Sequence, residues 1–258
     1  MLPPRGERLC EIGAGFGRLA DFYRGYNRVI LIDYSLSMLR DARTRLQNDP
    51  RILLVAADLY NLPLADSTLD TAVTVRVLHH VADIPRAFAE IARVVRPQGA
   101  YVTEFANKRH IKAILRYLVA RSRPSPFTLE PYEFVKLNWD FHPRYIQAEL
   151  AKHEFVIDNR RAVSTFRLAW LKRIVPANVL ASLDWLVQSP MSSLQISPSI
   201  FLRTHSTKPG APALNTALWR CPVCGSSEIT ESTRDLHCQT CARVYPIVDG
   251  IIDFKSHM

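Results

Sequence analysis

Two groups of residues in this chain have types and spacings that can do chemistry. The first is a glycine series near the start: LCEIGAGFG spans residues 9 to 17 and sets Glu11, Gly13, Gly15 and Gly17 at every second position. Residues without a Cβ atom let a backbone turn tightly and approach a ligand closely. An acid then ends each of the next two apolar runs, Asp33 in VILID and Asp58 in ILLVAAD. A carboxylate offers two acceptor oxygens, which suits the paired hydroxyls of a ribose. The second group is four cysteines, Cys221, Cys224, Cys238 and Cys241, arranged as CxxC, 13 residues, CxxC. Each CxxC can fold as a knuckle presenting two thiolates, and two knuckles complete a tetrahedral zinc site with no open position.

The glycine series has two readings. In a dinucleotide fingerprint, GxGxxG opens a helix whose N-terminus takes the pyrophosphate, and an acid about 20 residues further on bonds the ribose. Here the spacing is GxGxG, with Glu11 inside the first apolar run. A ligand without phosphate needs neither the third fingerprint glycine nor the helix N-terminus. A single aspartate at a strand end is ordinarily a turn or N-cap residue, so the ligand reading rests on several acids occurring in order.

At these residues the chain resembles the class I S-adenosylmethionine (SAM)-dependent methyltransferases, in particular the type 11 group. The resemblance runs through LCEIGAGFGRLADFY, VILIDYSLSMLRDAR, VAADLYNLPLADSTLDTAVTVRVLHHV and DIPRAFAEIARVVRPQGAYVTEF, roughly residues 8 to 105. It implies an α/β, Rossmann-like seven-stranded sheet with helices on both faces. It further implies that Gly13, Gly15 and Gly17 lie along the methionine part of SAM with Glu11 near its ammonium group. Asp33, with Tyr34 beside it, would hold the ribose. Asp58 would accept from the adenine amino group while Leu59 donates a backbone N–H to the ring. By motif position His79 and His80 are the catalytic candidates, with Tyr132, His110 and His142 as weaker ones; the ordinary role of such a histidine is capping or packing. Arg76 stands where the family often has a small, polar or acidic residue.

The elements that must position these groups alternate as strand and helix. Strands are expected at 8–12, 28–33, 52–57, 70–75, 99–105, 154–163 and 198–204, and RLADFY after the glycines is compatible with a helix. Ser35 can cap a helix with Leu36, Leu39, Ala42 and Leu46 on one face, and Asp83 another bearing Ile84, Phe88, Ile91, Ala92 and Val95. Pro97 and Gly99 then stop that helix, and PRYIQAELAKH supplies one more before the sixth strand. Residues 106–153 and 164–197 exceed what the sheet requires and, by the resemblance, cover the substrate. Within the first, KRHIKAILRYLVARSR reads as a basic amphipathic helix, for which the ordinary arrangement is an apolar stripe on the core and a solvated basic face.

The methyltransferase domain is thus expected over residues 1–205, a Pro, Gly, Ala and Thr linker over 206–218, and a zinc-ribbon domain over 219–258. The last module ends in YPIVDGIIDF, which resembles the small zinc-ribbon activator subunit of tRNA, rRNA and release-factor methyltransferases. Docking or stability is the expected role of the ribbon in preference to reading RNA, because residues 206–258 hold 5 Lys/Arg and 5 Asp/Glu and four thiolates around Zn2+ add about −2. The fifth cysteine, Cys10, lies in the first strand as a small hydrophobe.

Charge falls on the middle of the chain. Residues 1–105 hold 13 Lys/Arg against 12 Asp/Glu, whereas residues 106–205 hold 15 against 7. The basic surface therefore belongs to the substrate-covering region and favours an anionic partner: RNA, an acidic small molecule or a phospholipid headgroup. A chain of 258 residues with 48% hydrophobic residues can bury a large core. It has no run of 18 apolar residues and MLPPRGER has no signal-peptide core, so a cytoplasmic protein with at most peripheral membrane contact is expected.

Absences narrow the chemistry. No NPPY-type tetrad stands after strand four, where TVRVLHHV occurs, and no cysteine lies outside the ribbon except Cys10. Amino-methylation by the tetrad route and a covalent cysteine mechanism are thereby disfavoured. What fits is SAM-dependent O-, N- or C-methylation of a small, lipid- or quinone-like acceptor, with RNA methylation as the alternative and a catalytically weak SAM-binding or interaction module as a third reading. The first strand starts about seven residues from Met1, ahead of which the resembled group places covering helices. That leaves three expectations: a start upstream of Met1, a ribbon that fills the space, or weak SAM binding.

Overall fold

The computed structural model describes residues 1–120, 124–163 and 174–255. Its centre is a set of parallel strands made from uninterrupted apolar runs, as strands covered on both faces require. β1 (Gly6–Ile12) pairs with β2 (Tyr26–Asp33) on one side and β4 (Leu69–Thr74) on the other. β3 (Ile52–Ala56) continues beyond β2, and β5 (Val95–Ala106) beyond β4. α1 (Leu36–Leu46) is capped by Ser35, whose hydroxyl accepts from the Met38 N–H, and α2 (Ile84–Val94) by Asp83. α2 presses Ile84, Ala87, Phe88, Ile91 and Val94 onto the sheet, and the Phe88 ring meets Tyr101 edge-on.

Two local expectations change. RLADFY forms only a single 3-10 turn at Ala20–Phe22, because the glycine loop and a turn at 24–25 use up the short connection from β1 to β2. Pro97 and Gly99 lie within β5, at an irregularity where its pairing with β4 shifts register, and the helix stops one turn earlier at Val94.

β5 is followed by α3 (Ile111–Ala120), a hairpin of β6 (Tyr132–Val135) and β7 (Asn138–Asp140), and α4 (Pro143–Lys152). β8 (Phe155–Val163), α5 (Ala177–Leu194) and β9 (Ser199–Ser206) complete this part, with β9 lying antiparallel between β5 and β8. The hairpin has no counterpart in the sequence expectations. The basic helix is shorter than KRHIKAILRYLVARSR, and its expected burial is reversed: Ala113 is its buried residue, whereas Ile111, Leu115, Leu118 and Val119 are exposed. Residues 164–173 of the second covering segment, and 121–123 of the first, lie outside the described residues.

Among the described residues the expected seven-stranded sheet has eleven strands. The order β3-β2-β1-β4-β5-β9-β8 carries four more strands past β3, all from the C-terminal module: β10 (Ile229–Glu231), β11 (Asp235–Cys238), β12 (Val244–Val248) and β13 (Ile251–Asp253). β12 and β13 form a hairpin, and β13 then runs parallel to β3 with Ile251 opposite Leu54 and Ile252 opposite Val55. An edge strand exposes a row of unpaired N–H and C=O groups, and main-chain pairing satisfies them. The run GIIDF that resembled an activator tail is thus the strand that closes the β3 edge. Beyond it the Phe254 N–H donates to Ala56 O at 2.9 Å, and the Phe254 ring is buried against Tyr245 and Trp219 with centroid separations of 4.5 and 5.5 Å.

The module is held at a second place, where Leu64 and Trp219 bridge, the Ala65 N–H donates to Leu218 O, and the Arg220 N–H donates to Pro63 O. Residues 1–5 lie elsewhere, at the start of β2, where the Tyr26 hydroxyl donates to Pro3 O.

Truncating Phe254 removes the ring that both contacts share. Phe254→Ala is expected to cost about 3–5 kcal/mol, the usual range for a buried phenylalanine, and to make residues 206–218 the first site of proteolysis. Denaturant unfolding and limited proteolysis measure the two effects.

Candidate functional site

The parallel strands end side by side, which brings together residues far apart in sequence. The loop after β1 is tied to the end of β2, since the Gly13 and Ala14 N–H groups both donate to Ile32 O, at 2.7 and 2.9 Å. Gly13, Gly15 and Gly17 have φ of 76°, 57° and 71°, the left-handed region in which an L side chain is strained. At Gly13 a Cβ would also overlap the Val77 side chain. The next strand end follows in step: the Ala57 N–H donates to Asp33 O, placing Asp58 beside Asp33.

Each acid has a defined state of use. Asp33 Oδ2 accepts from the Gly15 N–H at 2.7 Å and Oδ1 from the Ser35 N–H at 2.8 Å. Each oxygen keeps one lone-pair direction for a further donor. Asp58 is also a cap, its Oδ1 accepting from the Tyr60 N–H at 2.9 Å, which leaves Oδ2 for another partner. Leu59 opens the 3-10 turn that follows, and Tyr34 lies exposed at the end of β2.

Glu11 is the most informative of the set. It is 3% exposed, and its Oε2 lacks a hydrogen-bond partner among the described residues. Burial pushes its carboxyl up from 4.5 to about 7, and the Tyr23 hydroxyl and Arg18 only partly offset this. A buried carboxylate with an unmet acceptor fits a cationic group approaching from the glycine loop. An ammonium, a ribose with two hydroxyls and an amino-bearing ring together match the donor and acceptor set of SAM, so the residues present fit that cofactor.

Beyond the glycines a cavity of about 490 Å³ opens toward β4 and β5, lined by Arg18, Arg76, His79, Glu104, Asn107 and Phe134 among others. Arg76 is held with φ 61° just past β4, its N–H donating to Glu104 Oε2 at 2.9 Å. Glu104 Oε1 accepts from the Ser199 hydroxyl. The two adjacent histidines part company. His79 lines the cavity, and burial together with His80 and Arg76 brings its pKa down to about 4, so it is a neutral imidazole at pH 7. His80, whose ring centroid is 4.0 Å from that of His79, does not line the cavity and has its Nδ1 at 3.0 Å from Leu137 O on the hairpin.

Of the weaker candidates, His110 lines this cavity and a second one of about 510 Å³ beside it, and Tyr132 lines only the second. His142 is a cap: its Nδ1 accepts from the Arg144 N–H at 3.1 Å at the start of α4. Glu104 was missed in the sequence, although it repeats the signal used for Asp33 and Asp58, an acid at the end of an apolar strand. Asp140, whose carboxyl burial pushes up, and Asn138 could not have been found without the hairpin.

The four cysteine sulfurs converge within 4.8 Å of one another, with Cys221 and Cys241 Sγ atoms 3.6 Å apart and those of Cys224 and Cys238 3.5 Å apart. Four thiolates about 2.3 Å from one ion in tetrahedral array would be ~3.8 Å apart, so the cluster fits a tetrahedral metal. The Tyr245 hydroxyl lies 3.0 Å from Cys221 Sγ. The first knuckle touches the Asp58 loop, where Asn61 Nδ2 donates to Pro222 O at 2.6 Å. Lys255, past β13, sits over the Tyr34 ring with its Nζ 3.9 Å from the centroid and donates to Tyr34 O.

The fold is an α/β, Rossmann-like one of the kind seen in SAM-dependent methyltransferases, and the comparisons agree with the fit of the site to SAM. Residues 10–103 match the family described as "Methyltransferase domain". A demethylmenaquinone methyltransferase of Corynebacterium kroppenstedtii is 38% identical over 107 residues, which are 41% of this chain and 44% of the relative. The chain spans less than half the length of the curated relatives it matches. In structure, a SAM-dependent methyltransferase from Mesorhizobium loti superposes with a TM-score of 0.57 at 20% identity, covering 79% of this chain and 93% of that one. A second likeness, at TM-score 0.55 and 15% identity over 81% of this chain and 86% of the other, is to a complex between the Haloferax volcanii Trm112 methyltransferase activator and a candidate methyltransferase. No helix among the described residues is long and apolar enough to cross a membrane.

Glu11 makes a pH-dependent contribution whose sign follows from its shift. Its folded pKa, about 7, lies above the ordinary value of 4.5. The folded chain therefore binds the proton more tightly, and stability is lost as pH rises through that window. Without cofactor, Glu11→Gln is expected to be more stable than the parent at pH 8 by up to about 3 kcal/mol and equal to it near pH 4. Denaturant titrations at the two pH values check this.

Proposed function

We propose that this chain transfers the methyl group of SAM to an O, N or C atom of a small amphipathic acceptor, lipid-like or quinone-like, and that its C-terminal module is a zinc ribbon docked in cis. The observation that carries the reading is Glu11: a buried acceptor without a partner, at the glycine loop and next to a cavity of acceptor size. Residues 1–205 form the catalytic part, 206–218 the linker and 219–258 the ribbon.

When bound, SAM supplies a methyl group on a sulfonium, an electrophile that needs alignment more than activation. Glu11 holds the ammonium group, with Gly13, Gly15 and Gly17 allowing the backbone close to the methionine part. Asp33 accepts from the ribose hydroxyls with Tyr34 alongside, and Asp58 with Leu59 reads the adenine edge. His79, neutral at pH 7, accepts a hydrogen bond from the acceptor and orients it. The cavity walls pair Phe134, Val75, Val163 and Phe201 with Arg18 and Arg76, which suits an apolar ring or chain carrying a polar or anionic group. The name of the Corynebacterium relative supports a quinone-type acceptor.

Cys221, Cys224, Cys238 and Cys241 hold the zinc, which has a structural role. Because the ribbon spends its strand edge on β3, its support of the sheet is favoured over RNA recognition.

SAM or its demethylated product should raise the melting temperature, by the equivalent of about 2.7 kcal/mol at a hundredfold excess over Kd. Asp33→Ala should abolish the shift, and no shift with the parent chain at millimolar ligand would sink the cofactor assignment. With an acceptor found by screening labelled SAM, His79→Ala should lower kcat about 100-fold while leaving the SAM-induced shift in place, and His80→Ala should do much less. Elemental analysis should return one zinc per chain, absent from Cys221→Ser/Cys224→Ser.

A further inference from the structure

The 106–153 segment carries apolar side chains out to solvent from three neighbouring elements. On α3, Ile111, Leu115, Leu118 and Val119 share one face by helical spacing, with Leu118 65% and Val119 87% exposed. The following loop exposes Phe127 and Leu129, and the β6–β7 hairpin exposes Phe134, Val135 and Leu137. These elements belong to one surface. The Tyr117 ring of α3 meets Phe127 edge-on at 5.8 Å. Ala113 and Arg116 of α3, Pro126 of the loop, and Tyr132 and Phe134 of the hairpin all line the 510 Å³ cavity. Phe134, His110 and Asp140 also line the 490 Å³ cavity beside His79. The apolar surface therefore surrounds an opening that shares a wall with the acceptor site.

Charge selects what covers it. The segment that bears this surface, residues 106–140, carries seven Lys/Arg against three Asp/Glu, although Lys108 is buried and Arg121 and Arg123 lie outside the described residues. A second copy of this chain would set that basic surface against itself. Single-stranded RNA would meet the cations, but it would leave aliphatic Leu115, Leu118 and Val119 facing phosphate and water, since bases stack on aromatic rings. An anionic bilayer satisfies both features, with aliphatic and aromatic side chains entering the headgroup and acyl boundary and the cations meeting lipid phosphates. We propose that α3, the 124–131 loop and the β6–β7 hairpin dock this chain on an anionic lipid bilayer, with the cavity between them as the acceptor's way in from the membrane. The proposal deepens the reading of the acceptor as amphipathic and rests on it for that entry route.

The test is sedimentation of the full chain with vesicles of phosphatidylcholine, with and without phosphatidylglycerol. Binding to the mixed vesicles is expected, weakened about tenfold or more both by omitting phosphatidylglycerol and by molar salt. Leu118→Asp/Val119→Asp, at two exposed positions, should lose at least tenfold in vesicle binding with the melting temperature and the SAM-induced shift unchanged. Arg116→Glu should weaken binding to the mixed vesicles alone. No binding to mixed vesicles, binding indifferent to the double substitution, or a dimer that the double substitution dissociates would each overturn the proposal. Vesicle binding is read without methyl transfer, so the two readings fail separately. A chain that methylates a detergent-dispersed quinol but ignores vesicles overturns the docking alone. One that binds vesicles as described but methylates no amphipathic acceptor supports the docking and counts against the proposed reaction.

Discussion

The parallel pairing of β13 along β3 ties the two halves of this chain into one sheet. Main-chain hydrogen bonds there cover the edge of β3, and the register sets Ile251 and Ile252 opposite Leu54 and Val55. Because Leu54 and Val55 in turn lie opposite Leu31 and Ile32 of β2, apolar rows cross three strands and two modules without a break.

The same docking reaches the loops that bear Asp33 and Asp58. Asn61, three residues past Asp58, bonds to the backbone of the first cysteine knuckle, and Lys255 caps Tyr34, one residue past Asp33. From the other side, Arg93 of α2 donates to Leu62 O and Leu64 O, and Glu90 accepts from the Leu62 N–H. The loop from Asp58 to Ala65 is thus held between α2 and the C-terminal module. A cofactor site built on strand-end loops needs such support, since loops otherwise lack the rigidity that ligand geometry requires.

Much of this was legible before the structure. The strand runs 8–12, 28–33, 52–57 and 70–75 all lie at β1 to β4, because strands covered on both faces must be continuously apolar and punctuated by turn residues. Ser35 and Asp83 cap α1 and α2, since their side chains can meet only the free N–H groups of a first turn. What was not legible depends on distant partners. The apolar stripe of α3 looks like any core-facing stripe, and only its neighbours decide that it faces solvent. His79 and His80 are chemically identical neighbours, and the hairpin carbonyl of Leu137 separates them.

The sequence by itself determined the local chemistry: a glycine loop whose left-handed turns favour residues without Cβ atoms, acids at successive strand ends, and four cysteines at knuckle spacing. These follow from steric rules and ligand valence that act within a few residues. Only the tertiary structure decided that GIIDF pairs in parallel with β3 at the edge of the seven-stranded set, that Glu11 Oε2 is left buried without a hydrogen-bond partner among the described residues, and that Glu104 and Asp140 join His79 around one cavity. Each of those depends on which chain segment arrives to fill a hydrogen-bonding edge or to exclude water, and segments up to some 200 residues apart, as with Leu54 and Ile251, carry no mutual signal until they are packed.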